Sequence, residues 1–178
     1  MLDREQRRAF VRERFFCVWG HNRQQHGPSM SPGYYKMDGD DLIYLTMEAR
    51  AKAKVAAKDP RASVCVLDMG PPPEYILLYG TVKIERDEDF VADMLARTLQ
   101  IEMINEGNKF NADDPKVQRD ALLDWVRTEK RVALRFTPES TFYSPPTRGK
   151  NAEEKWNFRK SLAETEDGKI SIGSALPW

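Results

Sequence analysis

The run EYILLYGTVKIER, from Glu74 to Arg86, is the longest strand the sequence predicts, and it constrains the fold more than any other feature. Ile76, Leu78, Val82 and Ile84 share one face of an extended chain, with Gly80 between them. ASVCVLD, 62 to 68, is a second strand by its β-branching and length, and GPPP, 70 to 73, is a stiff turn between the two. A chain built around such a pair must find an apolar partner for the face that Ile76 and its neighbours share.

The other segments supply it. FFCVW, 15 to 19, is a compact run of strand formers, followed by a polar loop, GHNRQQHGP, 20 to 28. SMSPGYYKM, 29 to 37, predicts an interrupted strand that Pro32 and Gly33 should break or bulge. DGD, 38 to 40, is a hairpin turn into DLIYLT, 41 to 46. RVALRF, 131 to 136, closes the sheet through alternating Val132, Leu134 and Phe136, and Thr141 to Tyr143 adds a short strand. Helices are expected over 3–13, 47–58, 87–105 and 115–129; Val117, Ala121, Leu122, Trp125 and Val126 recur at helical spacing in the last. This order predicts a mainly β fold with flanking helices (α+β), a small β-barrel with helices packed outside. Alternating βαβ units are absent, which argues against a Rossmann sheet. The polar stretch after Pro146 reads as a C-terminal extension, 147–178, on a single domain, 1–146; Trp156 and Trp178 either anchor it, across a dimer if one forms, or leave it a loose terminus.

Composition narrows the function. In 178 residues, 28 basic and 28 acidic side chains cancel, so no broad nucleic-acid or membrane surface is indicated and any anion site must come from local clustering. The two cysteines, Cys17 and Cys65, lie in apolar runs and read as buried thiols of a reducing compartment. A charged N-terminus without an apolar core, and no apolar run near the ~20 residues of a membrane span, lead to the expectation of a soluble, cytoplasmic protein.

The local clustering is in EARAKAK, 48 to 54. Thr46 is a suitable N-cap for the helix expected there, and Arg50, Lys52 and Lys54 crowd its beginning. Cations are the wrong charge for a helix N-terminus unless an anion such as phosphate lies beside them. Arg50, Lys54 and Lys58 line one face, and Lys52 looks elsewhere. The alternative is an ordinary solvated surface, since Lys and Arg are good helix formers. Trp19, Tyr34, Tyr35 and Tyr44 are candidates to stack on a flat ring or simply to fill the core. His21 and His26, with no cysteine or suitably spaced carboxylate nearby, read as polar loop residues rather than metal ligands.

RAKAKVAAKDPRASVCV, 50 to 66, resembles the R-A-K-x-x-N-L-x-x-D-P-R-x-S-x-x-V segment of the flavin/deazaflavin oxidoreductases, the split-barrel superfamily of pyridoxamine 5′-phosphate oxidase-like proteins. PSMSPGYY, 28 to 35, the D-G-D turn, DLIYLT and Gly80-Thr81 follow in the family's order. DALLDWVRTEKRVALRFTPESTFYSPP resembles the closing helix and strand of the subgroup that often binds coenzyme F420. The resemblance covers about residues 5 to 146 and departs at Val55 and Ala56, where the family has Asn and Leu. It implies a split β-barrel homodimer with two cofactor sites at the interface. It also implies that Lys52 and Arg50 contact a cofactor phosphate, with Thr46 and Lys54 close by. Ser31, Pro32, Gly33 and Tyr34 would lie along the ring system. The expected activity is hydride transfer by coenzyme F420 or FMN to an unsaturated or quinone-like small molecule. The alternatives are an FMN-dependent oxidase or flavin reductase, and a cofactor-binding protein without turnover. The cofactor carries the chemistry, so no catalytic triad is expected.

Overall fold

The structure, a computed structural model, describes residues 3–23, 27–68, 74–106, 115–144, 151, 153–154 and 176–178. Its elements run α1 (Arg4–Arg12), β1 (Phe16–His21), β2 (Ser29–Tyr34), β3 (Lys36–Asp38), β4 (Asp41–Met47), α2 (Ala51–Ala56), β5 (Arg61–Asp68), β6 (Glu74–Glu85), α3 (Glu88–Glu106), α4 (Pro115–Glu129), β7 (Arg131–Ser144) and β8 (Leu176–Pro177). The strands form one antiparallel sheet in the order β2-β1-β5-β6-β7-β4-β3, with β8 added to β7. The sheet curls into a split β-barrel, its open side lying between β2 and the β3–β4 hairpin. Gly39 supplies the positive φ (63°) at the tip of that hairpin.

Alternation along each strand divides the apolar residues between two cores. Trp19, Tyr44, Val64, Leu78, Leu134 and Phe136 fill the barrel interior. On the outer surface of β4 and β7, Ile43 and Ala133 meet Val91, Leu95, Leu122 and Val126 of α3 and α4. The helix pair therefore covers only this side of the barrel, and the outer face of β1, β5 and β6 carries no helix among the described residues.

Four expectations are corrected. Pro32 does not interrupt β2, which pairs with β1 from Ser29 to Tyr34 with Pro32 opposite Val18. β2 is an edge strand, where a residue without an N–H is tolerated, and the break falls at Tyr35, whose N–H bonds Phe15 O at 2.8 Å. The polar loop begins only after His21, which ends β1 and is 7% exposed. The basic helix is six residues long rather than twelve. β4 stays paired with β7 through Met47–Arg131, which keeps Thr46 extended, and Arg50 rather than Thr46 occupies the N-cap position, without a side-chain capping bond. Finally, β7 is one strand of 14 residues instead of two short ones. Its pairing with β6 shifts register between Tyr79 and Gly80. Gly80 is required there: a Cβ would stand 3.0 Å from Pro138 Cα and closer still to the Thr137 carbonyl.

The end of the chain also returns to the barrel. Trp178 is 6% exposed within the interior cluster, its backbone N–H bonds Glu139 O at 3.2 Å, and Arg7 donates to Pro177 O at 2.9 Å. Trp178 thus packs within its own chain. Trp156 lies outside the described residues.

Candidate functional site

Where the barrel is split, one tyrosine spans the opening. Tyr44 projects inward from β4, its ring 5.3 Å from that of Trp19, and its hydroxyl donates to the Pro32 carbonyl on β2 at 3.1 Å. The same oxygen accepts a hydrogen bond from Lys52 Nζ at 2.9 Å, and the ammonium lies 4.3 Å from the ring centroid. Gly33 makes this possible, because a Cβ there would come within 3 Å of the Tyr44 ring. The Ser31 hydroxyl sits near the phenol but outside hydrogen-bond geometry, and is buried without a partner. Burial raises the Tyr44 pKa above its ordinary value, so the phenol is a neutral donor.

The electrostatics of this corner are one-sided. Arg50, Lys52 and Lys54 have no ion pair among the described residues, whereas Arg12, Arg14, Arg119, Arg127 and Arg135 each meet a carboxylate within 3.2 Å. Lys52 is half-buried, and burial first, then the charge of Arg50, lowers its pKa. A partly desolvated cation without a counter-charge is unfavourable by itself and favours an incoming anion.

The structure therefore brings Lys52 to the strand carrying Pro32, Gly33 and Tyr34, and keeps Arg50 within electrostatic reach of Lys52. Thr46 is buried two residues along β4 from Tyr44. Lys54 is exposed on α2. A pocket of about 240 Å³ opens here, lined by Gly33, Tyr34, Tyr44 and Leu45 of the barrel, by Leu95, Thr98, Leu99 and Trp125 of the helix pair, and by Arg131. Arg131 is the pocket-lining cation that sequence reasoning missed. It begins β7 behind a lysine in left-handed conformation (Lys130, φ 49°), stacks 4.9 Å from the Trp125 ring and pairs with Glu129 at 2.6 Å. Trp125, read as helix core, also lines the pocket; only the meeting of α4 and β7 in space reveals either.

Cys17 and His21, on β1, lie within electrostatic reach of Lys52. Burial pushes the Cys17 thiol up to about 12, so it is not a nucleophile at neutral pH. Cys65, half-buried, is raised as well by burial. His21 is buried with both ring nitrogens unpartnered, and burial, then Lys52 and Arg23, lower its pKa. His26 lies outside the described residues. No helix among the described residues is long and apolar enough to cross a membrane.

The fold is thus an antiparallel split barrel, open beside the glycine-bearing edge strand β2, with Lys52 over the opening. The chain belongs to the pyridoxamine 5′-phosphate oxidase family, whose profile matches residues 3–143. No curated protein sequence matches it significantly. Among solved structures, it is similar to a conserved hypothetical protein, Rv2991, of Mycobacterium tuberculosis (TM-score 0.62, 14% identity, 86% of this chain and 95% of that one). It is also similar to an F420 reductase (TM-score 0.52, 17% identity, 75% and 93%). A third is an FAD-binding protein of Mesorhizobium loti (TM-score 0.55, 14% identity, 79% and 92%). At these identities the likeness establishes the fold.

Proposed function

We propose that this chain is an oxidoreductase that binds a flavin-type cofactor, coenzyme F420 in preference to FMN, and passes hydride to an unsaturated or quinone-like small molecule. The observation that carries this reading is Lys52, a half-buried cation with no carboxylate partner among the described residues, aligned by Tyr44 over the β2 strand. Lys52 and Arg50 would hold the cofactor's phosphate by charge-assisted hydrogen bonds. Gly33 and Tyr34 would leave a flat approach for the ring, with backbone groups of the edge strand facing it. When bound, the cofactor supplies the two-electron chemistry; the chain orients it and excludes water. The preference for F420 rests on the α4–β7 element, whose sequence resembles that subgroup and whose Trp125 and Arg131 line the pocket. The likeness to an F420 reductase is in keeping with it, and the likeness to an FAD-binding protein is in keeping with the FMN alternative.

The site is proposed to be completed by a second copy of the chain. At about 240 Å³ the pocket is smaller than the ~300–1,000 Å³ that houses a whole small-molecule ligand. Met30 (68% exposed) and Tyr79 (40% exposed) stand on the sheet face that the helices leave bare, where Val18, Cys65 and Leu77 also point outward. Titration of the purified protein with F420 and, separately, with FMN, followed by fluorescence, tests the reading. Micromolar or tighter binding of F420 is expected. Tighter binding of FMN would select the flavin alternative, and binding of neither would remove the reading.

A further inference from the structure

A second cavity adjoins the first through Tyr34. It has a volume of about 560 Å³ and is lined by Glu13, Arg14, Phe15, Phe16, Tyr34, Leu67 and Asp68. Phe16, Tyr34 and Leu67 form one cross-strand row on the outer face of β2, β1 and β5. Their rings are splayed rather than closed on one another. Phe15 and Tyr34 lie 6.1 Å apart at 40°, and Phe16 and Tyr34 lie 6.0 Å apart at 68°. Phe15 is 43% exposed, an aromatic held at the rim and not in the core. The polar edge is formed by Arg14, which donates to Asp68 at 2.9 Å and to the Phe10 carbonyl at 3.0 Å. With Glu13, the lining carries one cation and two carboxylates.

The two cavities on either side of Tyr34 thus differ in chemistry. One is small, walled by the helix pair, and its single lining cation, Arg131, is paired with Glu129. The other is aromatic, weakly acidic, and within the size range of a whole small-molecule site. The carboxylates of Glu13 and Asp68 at the edge of the second disfavour an anion there.

We propose that the aromatic alcove between α1, β1 and β2 is the subsite for the second ligand of the proposed reaction, a neutral planar molecule of the quinone class stacked on Phe15 and Tyr34. This rests on the proposed cofactor site only for its meaning, since the alcove's affinity is a property of its own residues. Offset and edge-to-face ring contacts favour flat, uncharged rings. Arg14 supplies a donor edge for a ring carbonyl, and Tyr34 is the residue common to both cavities, which places the two ligands side by side along β2.

Equilibrium dialysis of the cofactor-free protein against duroquinone tests this; its fully methylated ring forms no thiol adduct with Cys65. Saturable binding is expected, weakened about five- to tenfold by Phe15→Ser. It should be unchanged by Arg127→Ser, which removes an exposed side chain of α4 on the helix-covered side, outside the alcove. Anthraquinone-2-sulfonate, planar but anionic, should bind less tightly than duroquinone. Equal affinity in Phe15→Ser, equal loss in both variants, or preference for the sulfonate would overturn the proposal. So would a Phe15→Ser variant that changes only the association state in sedimentation, because the patch would then be a contact between copies. F420 and FMN titrations on the same samples separate the two readings. Phe15-dependent quinone binding without any cofactor binding would uphold the alcove and remove the cofactor site.

Discussion

The smallest decisive unit is the relay Lys52–Tyr44–Pro32. Its two hydrogen bonds fix an ammonium over the split of the barrel. Lys52→Ala is expected to weaken cofactor binding by about 1.5–3 kcal/mol, the range for a hydrogen bond to a charged group; unchanged affinity in the titration would remove Lys52 from the site. His21 predicts a pH effect on stability. In the unfolded chain it takes up a proton near its ordinary pKa of about 6.5. In the fold, burial and the charges of Lys52 and Arg23 hold that pKa lower. Between the two values the unfolded state binds more protons, so stability is complete above about pH 6.5 and is lost as pH falls toward the folded value. Denaturant midpoints at pH 7.5 and 5 should therefore differ more for the native chain than for His21→Gln. An identical difference in both would show that His21 does not contribute.

At the scale of elements, strand pairing overrides helix propensity around Thr46. A sequence rich in Ala, Lys and Arg forms helix only from Ala51 to Ala56, because β7 holds the preceding residues in the sheet. With so short a helix, the attraction for an anion comes from side-chain charge rather than from the helix dipole. A second element effect is β8, only two residues long, which carries Trp178 into the barrel core. Trp178→Ala should destabilise the protein by about 3 kcal/mol, as expected for deleting a buried aromatic. An unchanged melting temperature would show that the tail contributes nothing to the barrel.

For the whole molecule, the asymmetry of covering is the main feature. α3 and α4 bury one side of the barrel, and the opposite face keeps Met30 and Tyr79 in solvent. A second copy seated there would bury these side chains. Met30→Glu should leave the isolated chain folded, since the side chain is 68% exposed, and should shift the sedimentation of the protein from dimer to monomer. A native chain that sediments as a monomer, or a variant that remains a dimer, would count against this face as the interface.

The strands from Glu74, from Ala62 and from Asp41, and the helices after Arg86, were legible because their signals are local: alternation, β-branching and helical spacing act within one element. The family was legible for a related reason, since the R-A-K and D-P-R positions of 50 to 66 lie on contiguous residues. The Pro32 edge, the single β7 strand, the shortened α2 and the return of Trp178 were not legible. Each depends on which strand lies alongside, and pairing between distant segments leaves no periodic trace in either one. The candidate site divides in the same way. Arg50 and Lys52 stand out in the sequence as a charge cluster. The partners that give Lys52 its orientation and its missing counter-charge, Tyr44 on β4 and the Gly33 surface on β2, meet it only when the sheet curls, because no sequence pattern encodes a distance across the open side of a barrel.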